Sequence, residues 1–312
     1  MTGARRRRRE KRDDRSGGYL SELRDALSER GIRLTKRLGQ HFLIDPNLNR
    51  RIARAASPEG GVVLEIGPGA GSLTAPLLAA GSTVIAVELD RALASWLAER
   101  HEGDGRIEVV HADALDHGRV SDATREAVTR ALARAGATSF RVISNLPYGI
   151  ASTFLIALAC SDLPWEGGAV VLQREVAERL AASPGTKEYG AASVVWQLLA
   201  RERIDRTIPR EVFWPMPEVE SALLLVEPRD DAPPELAGRG HEFGEFLKAV
   251  FSQRRKVLRS AMKKAAALGE RSKPERVDAA IEATGAPGDS RAENLRPDQL
   301  MAAWLALAAP AS

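Results

Sequence analysis

Two stretches of this chain combine residue types that could act on a ligand. Residues 145–148 read Asn-Leu-Pro-Tyr and follow FRVIS, a short β-branched run with the character of a buried strand. Asn145 places a side-chain amide where the chain leaves that strand. Leu146 adds a backbone carbonyl, Pro147 stiffens the exit and Tyr148 offers a flat ring. Asn and Pro are also ordinary turn residues, so the surrounding sequence must decide between a turn and a site. The second stretch, VVLEIGPGAGSLT at 62–74, reads as strand, glycine-rich turn and helix, a pattern that brings backbone close to a ligand at the helix N-terminus. It is not the dinucleotide fingerprint, because the glycines are 67, 69 and 71 and Ser72 stands in the third place. Glu65, just before the loop, would oppose a pyrophosphate. It suits a ligand with a positive centre, such as an amino group or a sulfonium. Glu88 ends the next strand, 21 residues after Gly67, where an acid commonly takes two ribose hydroxyls. Asp113 follows the third strand and could accept from an adenine amino group. Each acid alone is an ordinary strand end or helix cap. Three of them on the ligand-binding edge of one sheet, around Gly67 and Gly69, point to S-adenosylmethionine rather than NAD.

That edge requires a particular set of elements. From residue 62 strands and helices alternate: VVLEI and SLTAPLLAA, TVIAVE and RALASWLAER, IEVVHA and a long polar helical stretch to about Gly136. FRVIS and IASTFLIALA follow, then GAVVLQ and REVAERLAA. ALLLVEP at 222–228 reads as a last strand. The alternation predicts an α/β domain, a doubly wound and mainly parallel Rossmann-like sheet with helices on both faces. Before it, YLSELRDALSERG reads as a short amphipathic helix with Leu20, Leu23 and Leu27 on one face and Gly31 as its stop. After it, DDAPPELAGRG marks a Pro/Gly linker. The expected organisation is a disordered basic arm at 1–18, a catalytic domain at 19–228, a linker at 229–240 and a small all-helical C-terminal domain at 241–312.

Composition narrows the function classes. A length of 312 residues with 44% hydrophobic content supports a substantial core. The single Cys160 excludes an intramolecular disulfide and any cysteine-rich zinc site, and the five histidines lack the spacing of helix-borne metal ligands. No metal is expected. The longest apolar stretch, 300–310, is too short to span a bilayer, and the basic start lacks the apolar segment of a secretory signal. A cytoplasmic protein without a membrane partner is the expectation, acting as a monomer. The net charge of +3 hides a strong asymmetry: residues 1–15 carry eight basic and three acidic side chains, and residues 248–276 carry ten basic and two acidic. A mildly acidic body with two concentrated basic zones suits a polyanion partner. Within the second zone, FLKAVFSQRRKVLRSAMKKAA predicts an amphipathic helix with Val257, Leu258, Ala261 and Met262 on its core face. Arg254, Arg255, Lys256, Arg259 and Lys263 are then left for RNA phosphates.

The ordered set KRLGQHFLID, EIGPGAGSLT, VELD, DAL, NLPY, LQREVAERL, GTKEYGAASV, FWPMPEVESALL, FSQRRKVLRS and RAENL resembles the rRNA adenine dimethyltransferase family, in its small-subunit, KsgA-type branch, over about residues 35–300. The erythromycin-resistance rRNA methyltransferases are its relatives. The resemblance implies an S-adenosylmethionine-dependent fold and contacts to the cofactor from His41 and Leu43 (methionine end and lid), Gly67, Glu88, Asp113 and Asn145. It also implies Phe213 as a second stacking ring. The partner it implies is small-subunit (16S) rRNA within a pre-assembled ribosomal subunit, dimethylated on two adjacent adenosines. The large-subunit (23S) activity of the resistance type is the alternative. This chain departs from the family pattern at His41, where Asn is frequent, and at Gly149, where Asn usually follows NLPY. On that reading the four residues acquire a task. The exocyclic amine of adenine is a poor nucleophile because its lone pair is delocalised. Acceptors at Asn145 Oδ1 and the Leu146 carbonyl would favour a pyramidal nitrogen aimed at the methyl group. Tyr148 would stack on the base, a contact worth roughly 1–3 kcal/mol.

Overall fold

The computed structural model describes residues 18, 20–32, 40–56, 60–267, 274–287 and 289–308. The basic arm at 1–17 and part of the 248–276 basic zone lie outside them. No helix among the described residues is long and apolar enough to cross a membrane, and no cluster of metal-ligating side chains occurs among them.

A first helix, α1 (20–29), buries Leu23 and Leu27 and stops at Gly31, whose φ is +64°. It is followed by β1 (Phe42–Leu43) and α2 (Pro46–Ala56). The alternating run then gives β2 (Gly61–Ile66), α3 (Thr74–Ala79), β3 (Ser82–Glu88), α4 (Arg91–Arg100) and β4 (Ile107–His111). After a hairpin of β5 (Leu115–Asp116) and β6 (Arg119–Val120) come α5 (Asp122–Ala135), β7 (Phe140–Asn145), α6 (Ala151–Ala159), β8 (Trp165–Gln173) and α7 (Arg174–Leu180). The chain continues through α8 (Ala191–Leu199), β9 (Ala200–Ile208), β10 (Phe213–Trp214) and β11 (Ser221–Pro228) to the helices α9 (Gly240–Phe251), α10 (Leu258–Ala267), α11 (Pro274–Ala283) and α12 (Pro297–Ala308).

Seven strands form one sheet in the order β4-β3-β2-β7-β8-β11-β9. Neighbours from β4 to β8 are parallel, and β11 runs antiparallel to β8 with Leu224 opposite Val170. The apolar, β-branched character of β2, β3 and β7 follows from burial on both faces of a helix-covered sheet. Val63, Leu64, Val84, Ile85, Val142 and Ile143 are all inaccessible to solvent. Strand order reverses between β2 and β7, and at such a switch point a crevice opens beyond the strand C-termini. Glu65, Glu88 and Asn145 therefore share one edge for topological reasons. Helix α4 starts sharply because the Asp90 carboxylate accepts from the backbone N–H groups of Ala92 and Leu93 at 2.9 and 3.2 Å.

Three local expectations are corrected. The stretch after β4 is not helical throughout. His117 and Gly118, both at positive φ, make a two-residue turn that pairs Asp116 with Arg119 before Ser121 caps α5. Strand β9 carries no strand pattern in the sequence because ARERIDRTI is rich in charge, which an edge strand tolerates on its solvent face. The basic C-terminal segment is two helices, not one. Ser252 Oγ turns back to the Ala249 carbonyl at 2.6 Å, the chain tightens through residues 252–256, and Val257 bridges to Arg291. Val257 is consequently exposed, whereas Leu258, Ala261 and Met262 are buried as expected.

The chain divides into two compact units. One comprises Met1–Phe154, Leu163–Arg174 and Arg203–Glu227; the other comprises Leu155–Asp162, Glu175–Glu202 and Pro228–Ser312. The second unit thus takes in most of α7 and all of α8 as well as the helices after residue 228, because Val194, Val195 and Leu198 share a core with Phe243, Leu247, Leu258 and Trp304.

Candidate functional site

A cavity of about 300 Å³ lies at the C-terminal ends of β2, β3, β4 and β7. Its walls include His41, Phe42, Glu65, Gly67, Gly69, Glu88, Leu89, Asp113, Asn145, Leu146, Pro147 and Tyr148. The glycine loop forms its floor. Gly67 and Gly69 adopt φ of +65° and +57°, and both are also closely approached. A Cβ on Gly67 would sit 2.7 Å from Pro147 Cγ, and one on Gly69 would sit 2.5 Å from the Phe42 ring. Only glycine allows the loop, the NLPY turn and the β1 segment to meet there.

The acids differ in environment. Glu65 is 1% exposed and accepts a 2.6 Å hydrogen bond from Thr74 Oγ1. Burial, against that hydrogen bond and with the Glu88 charge adding to it, pushes its carboxyl up to about 8. A cationic ligand group beside Glu65 would offset that burial, so the chemistry of this position fits a positive centre. Glu88 accepts from the Gly69 N–H at 3.0 Å and from the Asp90 N–H at 2.8 Å. Burial raises its carboxyl, and these backbone donors counter the rise. Asp113 accepts from the Leu115 N–H at 2.9 Å, and its own carbonyl accepts from Ser121 Oγ at 2.6 Å. No Lys or Arg is among the described residues that line the cavity. Leu89, 48% exposed despite its apolar side chain, offers a surface for a flat ring next to Glu88.

At the opposite wall the NLPY turn is held on every side. Asn145 Nδ2 donates to the His41 carbonyl at 2.8 Å, which fixes the amide so that Oδ1 turns the other way. That oxygen is buried and has no hydrogen-bond partner among the described residues. A buried acceptor left unmatched is costly, and at a cavity wall it marks the place of a ligand donor. The Leu146 N–H continues the sheet ladder to the Val171 carbonyl, and the Pro147 carbonyl accepts from the N–H groups of Ile150 and Ala151, both at 3.1 Å, which launches α6. Tyr148 Oη lies 2.7 Å from Ser221 Oγ. The His41 ring lies 5.2 Å from the Tyr148 ring at a tilt of 32°. Its Nδ1 is 2.6 Å from the Pro215 carbonyl, an acceptor only, so that nitrogen carries the proton.

The family described as ribosomal RNA adenine dimethylase matches residues 31–296. The chain is 40% identical over 281 residues to ribosomal RNA small subunit methyltransferase A of Leifsonia xyli subsp. xyli, covering 88% of this chain and 93% of that protein. It is 39% identical over 289 residues to the protein of the same name from Xanthobacter autotrophicus, covering 89% and 91%. The chain belongs to the ribosomal RNA adenine dimethylase family. Among solved structures, a dimethyladenosine transferase from Plasmodium falciparum shares the fold, with a TM-score of 0.61 at 22% identity over 82% of this chain and 94% of that one. The 23S rRNA methyltransferase ErmE aligns with a TM-score of 0.54 at 26% identity, over 86% of this chain and all of the other.

In this adenine dimethylase the cavity gathers His41, Glu65, Gly67, Gly69, Glu88, Asp113, Asn145, Leu146, Pro147 and Tyr148, but not Leu43 or Phe213. Those two pair with each other across β1 and β10. Their side chains turn into the core with Ile52, Leu73 and Ile208, and Phe213 is only 2% exposed. The second stacking ring implied at Phe213 and the lid implied at Leu43 are therefore not at the cavity wall. Sequence reasoning missed Phe42 and Leu89. Phe42 has no signal apart from its place in the GQHFLID run, while Leu89 is legible as an apolar residue directly after the strand-ending acid.

The basic residues also separate. Arg254 donates from Nε to Glu293 at 2.7 Å and from Nη1 to the Lys187 carbonyl at 3.1 Å, so it is spent within its own unit. Arg259 pairs with Asp278 at 2.5 Å. Arg255, Lys256 and Lys263, together with Lys264, are exposed, and none of them forms an ion pair with another described residue.

Proposed function

We propose that this dimethylase transfers methyl groups from S-adenosylmethionine to N6 of two adjacent adenosines in the 3′-terminal hairpin loop of small-subunit (16S) rRNA, giving N6,N6-dimethyladenosine, as a step in small-subunit biogenesis in the cytoplasm. The observation that carries the reaction is the Asn145 amide. Its nitrogen is anchored on the His41 carbonyl, and its buried oxygen is left without a donor. An adenine amino group supplies what that oxygen lacks. The relatives' shared name supports the choice of the small subunit.

The cofactor supplies a methyl group made electrophilic by a sulfonium centre. The residues of this chain bind and orient. Glu88 takes the ribose hydroxyls and Asp113 the adenine amino group, while Leu89 covers the ring. Glu65 with Gly67 and Gly69 receives the methionine end, where His41 closes the wall. Asn145 Oδ1 and the Leu146 carbonyl accept the two N–H groups of the target amine, which localises its lone pair. Tyr148 supports the base, which has to leave its stack at an expense of a few kcal/mol, less in a loop than in a duplex. Positioning of this kind favours the transfer without a strong general base, because the N6 proton becomes acidic as the C–N bond forms and the methyl–sulfur bond breaks, and it leaves to solvent. After the first transfer one N–H remains, so the second methylation keeps one of the two acceptor contacts.

The test is to offer undermethylated small and large ribosomal subunits with labelled cofactor and to map the products. We expect label on two adjacent adenosines of an incompletely assembled small subunit and little on an isolated short hairpin. Label confined to a large-subunit adenosine would refute the assignment in favour of the resistance-type activity.

A further inference from the structure

Resting on the RNA substrate just proposed, we propose that Met216 and Val219 form an apolar wedge that enters the RNA stack beside the target adenosine and fills the gap left when that base is drawn into the cavity. Met216 is 57% and Val219 45% exposed, and large apolar side chains this open are few among the described residues. Two of them lie within four residues of one loop, between β10 and β11. That loop is tied to the cavity at both ends. The Pro215 carbonyl holds His41 Nδ1 at 2.6 Å, and Ser221 Oγ holds Tyr148 Oη at 2.7 Å. Between these ends Arg210 Nη1 grips the Glu218 carbonyl at 3.1 Å, and Arg174 Nη1 pairs with the Glu220 carboxylate at 2.7 Å. The two rings that meet at the cavity wall thus anchor the segment that presents the two apolar side chains to solvent.

The chemistry of the neighbouring space identifies the occupant. A base that swings into the cavity leaves two base faces without a stacking partner. Apolar side chains are what proteins insert between such steps. A methionine is unbranched and polarisable and adapts to the flat, irregular space. The apolar pair itself offers a phosphate nothing, and the flanking Arg174 and Arg210 are engaged with the Glu220 carboxylate and the Glu218 carbonyl.

The test compares the wild type with the double variant Met216→Ser/Val219→Ser and with Met216→Leu, using whichever ribosomal subunit the wild type labels. A wrong substrate assignment then appears in the wild type, and a wrong wedge only in the variant. Both side chains are exposed, so folding is retained, and the cofactor Kd is measured as a control. We expect kcat/KM for the particle to fall about tenfold in the double variant, the scale set by losing burial of one such side chain, with cofactor affinity unchanged and Met216→Leu near wild type. A double variant that methylates at the wild-type rate overturns the wedge. So does a defect seen on the intact particle but absent in binding to the same rRNA stripped of protein, which would assign the patch to a protein partner.

Discussion

Replacing Glu65 by Gln tests the electrostatic reading of the cavity most sharply. The Glu65 carboxyl is buried, receives one hydrogen bond from Thr74, and stands at about 8 against an ordinary 4.5. At neutral pH the ligand-free folded protein therefore holds a proton there, by roughly ten to one, that the unfolded chain does not. Stability falls with pH wherever the folded state binds more protons. The contribution is complete below pH 4.5, declines as pH rises, and is gone above about 8. At about 1.4 kcal/mol for each pH unit between the two values, the decline amounts to roughly 5 kcal/mol, a large part of a typical domain's stability. Glu88, also raised by burial, adds to it in the same direction. Glu65→Gln keeps the shape and the acceptor for Thr74 but cannot ionise. In urea unfolding of the ligand-free protein from pH 5 to 8.5, the wild-type midpoint should fall steeply while that of the variant falls much less, keeping only the share that Glu88 contributes. The two should converge at the acid end. Parallel curves would refute the reasoning. The same proton reports on function. A positive ligand centre next to Glu65 favours the carboxylate, so cofactor binding at pH 7 should release up to about one proton. Calorimetry in buffers of different ionisation enthalpy would show this release in the wild type and its absence in Glu65→Gln.

Asn145→Ala should lower methyl transfer by on the order of 10²–10³, the usual loss on removing one positioned polar group at a transition state, with cofactor Kd changed far less; folded variant enzyme acting near the wild-type rate would contradict the acceptor role. The two kinds of basic residue should also part experimentally. Arg254→Ala should destabilise the helical unit by about 1–3 kcal/mol through the lost charged hydrogen bonds, measured by thermal unfolding. Arg255→Ala/Lys256→Ala should leave unfolding unchanged and reduce the salt slope of RNA binding by roughly 1–2 in log–log terms; an unchanged slope would show that these side chains are only solvated.

Much of this site is legible in the sequence because it depends on backbone topology. A β-branched run that ends in Glu65, Glu88 or Asn145 is recognisable as a strand with a polar tip, and parallel connection brings such tips to one edge. What escaped depends on side-chain direction over long separations. Phe213 looks like a ring available for stacking, yet pairing with Leu43 turns it inward, and nothing local to FWPMPEVES encodes that choice. Arg254 and Arg255 are adjacent and chemically alike. One is consumed by Glu293 and Lys187 and the other is free, because the partners lie 39 and 67 residues away along the chain. The hairpin turn at His117–Gly118 is hidden for a different reason: His is an uncommon residue at positive φ, and the composition around it is that of a helix.

The distribution of charge then explains how one nucleotide can be handled without its backbone interfering. The described cavity lining contains three acids and no cation, so a phosphate that strayed into it would find no cationic partner there. A neutral adenine needs no such partner and finds the unmatched Asn145 oxygen. Arg255, Lys256, Lys263 and Lys264, which form no ion pair with another described residue, lie in the helical unit and are available to a polyanion through counterion release. On the function proposed above, the RNA backbone is expected at these cations, while the buried Asn145 oxygen in the cavity awaits the donor of an uncharged base.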